Sequence, residues 1–371
     1  MDLEQTAEQK LLAETVNGLL DKRYDPNARL ALLSSEDGWS RELWRQYAEL
    51  GLLGLAIDEA HGGAGMGPAE LAVVMECFGR ALILEPYLAT VVLGAGLVAG
   101  AGTPEQQAAL LPGVAAGETL LAFAYTEPGS RWSLTDIEST YADGRLSGSK
   151  IAVLGGDSAD HLVVTARTPS GEIGLFLVDA GGAGVARNGY AMQDGLRGAD
   201  VVFADAPAEP LGSAEDAMPL IESVLDVATA ALCAEAVGAM HRMLWLTVDY
   251  LKTRIQFGQP ISVFQSLQHR AANMYVSLEQ ARSMALLARL ALADDDAASR
   301  RRAIRAAKIQ IDLAGRHVGQ EAVQLHGGIG MTMEYPVGHY LKRVTVLSKT
   351  FADTDRLVEL LGADGGLVAA G

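Results

Sequence analysis

The chain has 371 residues, 49% of them hydrophobic, and a formal net charge of −17. Such a composition belongs to a folded protein with enough length for more than one domain, and it excludes a disordered chain. The acidity argues against a general nucleic-acid binder, which needs clustered Lys and Arg for phosphate, but leaves room for a local cationic patch that holds a small anionic ligand.

In chain order, residues 1–117 read as a helical domain. Thr6 followed by Gln9 fits a capping box, and Leu11, Leu12, Val16, Leu19 and Leu20 then recur at helical spacing. The opening stretch is acidic and has none of the basic and apolar features of a signal peptide, so the cytoplasm is the expected compartment. Trp39, Leu43, Trp44 and Tyr47 form a second stripe that Gly51 stops. The glycine-rich run HGGAGMGP has neither GxGxxG nor GxxxxGK spacing and reads as a structural turn before the helix of AELAVVMECFGRAL. The longest apolar stretch, residues 81–100, is broken by Glu85 and Pro86, and a membrane span needs about 20 predominantly apolar residues, so none is expected. Cys77 and Cys233 stand far apart with no CxxC motif, and no metal site is expected.

The period changes near residue 118. LLAFAYTE, ADGRLSGSKIAVLG, ADHLVVTART, GEIGLFLVDA and ADVVFADA are short, β-rich and separated by Gly, Asp and Ser, which predicts a β domain over 118–212. Residues 213–371 turn helical again. One long periodic helix ends at Gly258 and Pro260, a second runs through FQSLQHRAANMYVSLEQARSMALLARLALA, and a third runs through SRRRAIRAAKIQIDLAGRHVGQEAVQLHG. Helices, then strands, then long helices imply an α+β protein rather than a doubly wound α/β fold.

Four segments in this order resemble the acyl-CoA dehydrogenase superfamily: LAIDEAHGGAGMGPAEL, AYTEP, TRIQFGQPISVFQSLQH and QLHGGIGMTMEYPVGHYLKR. The resemblance covers essentially the whole chain. It implies an N-terminal helical domain, a middle β-barrel-like domain and a C-terminal four-helix bundle. It also implies FAD, an acyl-CoA substrate, α,β-desaturation of the thioester, and transfer of electrons to an electron-transfer flavoprotein. In the family, a neighbouring subunit reaches the adenine and pyrophosphate of the flavin. On this chain the matching residues are Arg254, Gln256, Phe257, Gln265, Gln324, Gly327 and Gly328, with Thr126 of AYTEP at the flavin ring. Their chemistry suits the task. A guanidinium offers planar, permanent donors to pyrophosphate, glutamines hydrogen-bond sugar or ring oxygens without adding charge, and glycines let backbone approach closely. Glu127 reads as scaffolding.

The sequence departs from the family at the base. The usual version places a glutamate, the acceptor of the thioester α-proton, where this chain has Phe351 or Ala352. A second family solution places it early in the long helix, where an ungapped count lands on Ala228. Nearby carboxylates are Asp226, about 200° of helical rotation from that position, and Asp353 and Asp355. Asp226 and Asp353 are the candidates for catalysis. Ala152 also stands where the family commonly has a tryptophan over the flavin, and Trp132 follows soon after AYTEP. These departures resemble the small-subunit-like members of bacterial heteromeric acyl-CoA dehydrogenases of the pimeloyl-CoA and steroid side-chain type. The expectation is an FAD-dependent acyl-CoA dehydrogenase subunit with a non-standard or missing base, in a homo-oligomer or a heterotetramer with a paralogous chain. A non-catalytic partner subunit, or a flavin oxidase or monooxygenase on the same fold, are the alternatives.

Overall fold

A computed structural model describes residues 5–213 and 216–365. The helices before the sheet are α1 (Ala7–Arg23), α2 (Pro26–Leu33), α3 (Arg41–Glu49), α4 (Pro68–Ala81), α5 (Ala95–Ala101) and α6 (Pro104–Ala115), with a π-helical segment at Leu88–Gly94. The capping box expected at Thr6 is formed: the Thr6 hydroxyl accepts the Gln9 amide at 3.2 Å, and the Gln9 side chain accepts the Thr6 amide at 3.1 Å. Trp39, Leu43, Trp44 and Tyr47 are all buried, as their spacing required.

Eight strands follow: β1 (Leu121–Ala124), β2 (Thr140–Ala142), β3 (Arg145–Leu154), β4 (His161–Arg167), β5 (Ile173–Asp179), β6 (Val185–Ala191), β7 (Arg197–Pro207) and β8 (Glu209–Pro210). They make one eight-stranded sheet in the order β6-β7-β3-β2-β4-β5-β8, with β1 added parallel to β4. Its core gathers Leu146, Leu162, Val164, Phe176, Val178, Val201 and Phe203. Lys150 crosses this region with 0% exposure; its ammonium lies 2.6 Å from Glu127 Oε1 and 2.9 Å from the Thr165 hydroxyl. The amides of Glu138 and Ser139 donate to the same Glu127 carboxylate at 2.6 Å and 3.1 Å. Burial drags Lys150 down to about 8 against the pull of that carboxylate. For Glu127 burial pushes upward, yet the hydrogen bonds from Lys150 and Ser139 win and the carboxyl ends below its ordinary value. Glu127 is thus committed to tying the AYTEP segment into the sheet.

After the sheet come α7 (Met218–Thr253, 36 residues), a hairpin of β9 (Ile255–Gln256) and β10 (Gln259–Pro260), α8 (Gln265–Ala291), α9 (Ala297–His326), α10 (Val337–Leu347) and α11 (Thr354–Ala363). The chain forms two compact units. One contains the sheet, with residues 32–67 and 84–228. The other is helical and gathers the chain up to Ala31, Pro68–Ile83, and the chain from Thr229 onward. Two facts hold the helical unit tightly. Arg343 on α10 makes a buried two-pronged pair with Glu235 on α7, at 2.6 Å and 2.8 Å. And α4 meets α7 at glycines: a Cβ added to Gly79 would sit 1.9 Å from the Glu235 carbonyl oxygen, and one added to Gly238 would sit 1.9 Å from that of Glu76. No helix among the described residues is long and apolar enough to cross a membrane.

Candidate functional site

The helix break at TRIQFGQPIS is a tight hairpin. α7 ends at Thr253, the Ile261 amide returns to the Arg254 carbonyl at 2.9 Å, and Gln256 pairs with Gln259 across the turn. Phe257 and Gly258 occupy the two central turn positions with φ +56° and +79°, the pattern of a type I′ turn. Gly258 adopts it freely, whereas an aromatic residue there is strained. The Phe257 ring is 88% exposed and meets Phe264 edge-on at 6.0 Å. Arg254, Gln256 and Gln265 are also exposed, and the Arg254 guanidinium has no side-chain partner among the described residues.

The hairpin leads directly into the N-terminus of α8. Phe264 occupies the cap position, with no side-chain hydrogen bond to the free amides and no acidic residue in the first turn. A long helix left open in this way has amides and a dipole ready for an anion. The C-terminal end of α9 lies at the same end of the helical unit. The His326 ring packs 4.5 Å from Tyr250, near the end of α7, and 4.7 Å from Tyr335. His326 Nδ1 donates to the Ala322 carbonyl at 2.7 Å, which leaves Nε2 to accept the Tyr335 hydroxyl at 3.1 Å. Burial holds this imidazole below its usual range despite the carbonyl. His326 therefore builds the frame, and Gln324, Gly327 and Gly328 stand exposed around it. A Cβ placed on Gly327 or Gly328 would meet nothing within 4 Å, so their backbone faces open space.

In the sheet unit, the Thr126 carbonyl accepts the Ile151 amide at 2.9 Å. The next residue, Ala152, has φ +51° and sits in a bulge where β3 and β7 lose register between Lys150 and Val153. Its amide donates to Asp200 Oδ1 at 3.1 Å, and the Tyr190 hydroxyl donates to the same oxygen at 2.8 Å. Bulges of this kind re-aim side chains beside active sites. Thr126 and the position of the family's tryptophan are thus neighbours on one patch.

The two candidate carboxylates lie in different units. Asp226 is near the start of α7 and is 6% exposed, and Ala228 beside it is fully buried. Asp353 caps α11 by accepting the Arg356 amide at 2.9 Å, and its other oxygen lies 3.2 Å from Lys349 Nζ. Phe351, with φ +68°, and buried Ala352 precede it. Asp355 is exposed in the first turn of α11. The uncapped start of α8, the Asp200 bulge and the tyrosines around His326 escaped the motif reading. The first had a visible signal, an aromatic residue where Ser, Thr, Asp or Asn normally cap a helix.

Two helical segments flanking a sheet domain in the chain, with an arginine-bearing hairpin opening a long bundle helix, define an acyl-CoA dehydrogenase type of fold. The chain belongs to the acyl-CoA dehydrogenase family: the N-terminal domain of that family matches residues 6–118 and its C-terminal domain residues 218–350. It is 32% identical over 341 residues to acyl-CoA dehydrogenase IpdE2 of Mycobacterium tuberculosis, covering 91% of this chain and 90% of that protein. Among solved structures, it is similar to a variant of the Tcur3481-Tcur3483 steroid ACAD, with 34% identity, TM-score 0.87 and coverage of 96% and 97% of the two chains. It is also similar to the ChsE4-ChsE5 complex from Mycobacterium tuberculosis, with 27% identity, TM-score 0.88 and full coverage of both chains.

Proposed function

We propose that this chain is a cytoplasmic subunit of an FAD-dependent acyl-CoA dehydrogenase that desaturates a CoA thioester between Cα and Cβ and passes electrons to an electron-transfer flavoprotein. The observation that carries the reading is the open end of the helical unit: an unpartnered Arg254, an exposed Phe257 on a strained turn, and an uncapped α8 beside Gln265. The strained, exposed aromatic is out of place on a surface meant for water, and the arginine and the open amides beside it add donors for an anion. Together they suit a pyrophosphate and its adenosine held mainly by another chain.

Arg254 and the first amides of α8 would hold the diphosphate, Gln256, Gln265 and Gln324 would bind sugar and ring oxygens, and Phe257 would cover an apolar face. Thr126 would reach the flavin ring from the sheet unit. Bound FAD supplies a two-electron acceptor for the hydride that leaves the substrate β-carbon. The remaining task on the protein side is to take the α-proton, and Ala352 has no group to do so. We assign that proton to a carboxylate of a paralogous chain, or on this chain to Asp226 or Asp353. Of the two, Asp226 is the one shielded from water, at 6% exposure. The pairing reading draws support from the relatives named above, which include the ChsE4-ChsE5 complex. A partner that is itself non-catalytic is the second reading, favoured by the same lack of a carboxylate at Ala352.

The test is flavin retention. Arg254→Ala removes a charge-assisted contact and should lower flavin per assembled protein, with affinity falling roughly tenfold. Unchanged flavin absorbance after gel filtration at high salt would count against the assignment. For the base, acyl-CoA oxidation by the chain purified alone, undiminished in Asp226→Asn with Asp353→Asn, would rule both residues out.

A further inference from the structure

The segment 348–353, which joins α10 to α11, is held where it leaves α10 by a pair of charges that the proposed reaction does not use. Lys308 and Asp312 lie one turn apart on α9 and are 2% and 8% exposed. The Lys308 ammonium is 3.0 Å and 2.8 Å from the two Asp312 oxygens and donates to the Leu347 carbonyl, the last of α10, at 3.0 Å. The Leu347 carbonyl that Lys308 holds also accepts the Thr350 amide at 3.2 Å, inside the segment. Inside the segment, Phe351 adopts the left-handed conformation and Ala352 is buried. Asp353 closes it by capping α11 and meeting Lys349.

A connection between two helices needs none of this. Strained residues survive where their surroundings over-determine them, and they gather at functional sites. A buried ion pair contributes little net stability compared with an apolar pair of the same volume, so stability does not account for this one. Burial, the largest influence, lifts Asp312 to about 6 even with Lys308 beside it, so the pair sits in a dry place at a real desolvation cost.

We infer that Lys308 and Asp312 are positioning residues: Asp312 aims the Lys308 ammonium, which by bracing the Leu347 carbonyl fixes the start of 348–353, the stretch that lies where family members carry their proton-accepting glutamate, and so sets the geometry in which the thioester reacts. The clamp rests on these contacts alone; its link to the reaction rests on the function proposed above.

The experiment replaces the pair by a volume-matched apolar one, Lys308→Met with Asp312→Leu, in the intact assembled protein. Amide hydrogen exchange in 348–353 should quicken about tenfold while α7 and the rest of α9 keep their protection. Flavin content should stay the same. With octanoyl-CoA and an artificial electron acceptor, kcat should fall about tenfold and KM by less than about twofold, a split that general destabilisation does not produce. Unchanged exchange in 348–353 overturns the clamp. Faster exchange with unchanged kcat overturns its role in the reaction. Wild-type protein that oxidises none of butyryl-, octanoyl- and palmitoyl-CoA, while the variant's segment still loosens, strikes instead at the proposed function and leaves the clamp standing. Should the double variant fail to assemble, Asp312→Asn gives the same exchange and kcat readings.

Discussion

Phe257 shows how a single residue can disagree with its own backbone. Asn or Gly at the first turn position would satisfy φ +56° without strain, yet the chain places a large ring there and leaves it 88% exposed. Phe257→Gly should therefore keep or raise the stability of the isolated chain, by up to about 1 kcal/mol, while flavin binding weakens. Thermal melts and flavin titration of the same preparation check both halves, and a loss of stability without a loss of flavin would refute the argument. Arg254, Gln256 and Gln265 can be singled out from the hairpin motif, and Gln324 from the later QLHGG segment, because each motif carries its residues in fixed spacing. Lys308 and Asp312 cannot be. A Lys and an Asp four apart on a helix look like an ordinary surface pair, and only the packing of α10 and α11 over α9 shows that they are buried.

At the level of elements, the crossing of α4 and α7 depends on having no side chain at Gly79 and Gly238. Gly238→Ala would raise helix propensity, but the methyl would overlap a carbonyl that cannot swing away. We expect a net destabilisation of at least 1–3 kcal/mol, by the usual cost of overpacking, measurable by denaturant unfolding. α9 makes a prediction about pH. The folded-state pKa of Asp312 is raised to about 6, so between roughly pH 4 and 6 the folded chain binds more protons at this site than the unfolded chain. Its contribution to stability is fully present below that window and is lost as pH rises through 6. The stability of the wild type relative to Asp312→Asn should therefore decline from pH 4 to 6 and then level off; a flat difference would show that the carboxyl is not perturbed. Period and spacing made the long helices and the apolar strands readable. They missed β6, whose sequence VARNGYA runs mostly exposed along the sheet edge and has no apolar alternation to reveal it. They also could not foresee the bulge at Ala152, since bulges arise from the pairing of β3 with a distant strand.

Taken as a whole molecule, the helical unit exposes more apolar surface than a solitary chain needs. Tyr275, Val276, Leu287 and Leu290 on α8 and Leu313 on α9 are each 38% or more exposed, in addition to Ile255, Phe257, Ile329 and Met331 at the open end. Surfaces of this kind are expected to meet another chain. Co-expression with a paralogous subunit should give an assembly that holds more flavin per chain than this chain purified alone, as absorbance and sedimentation together will show. Equal flavin content in both preparations would remove the need for a second chain. The helical unit also has a sequence order with temporal consequences. Its early helices, α1 and α4, are synthesised long before α7 and α10, which belong to the same unit. At ordinary translation speeds of about 5–20 residues per second, α4 leaves the ribosome on the order of ten seconds or more before Arg343 is made. During that interval α4 can pack on α1 but lacks its mates from α7 and α8, so nascent chains should lean on chaperones, and a truncation anywhere in the last helices should leave the first ones prone to aggregate.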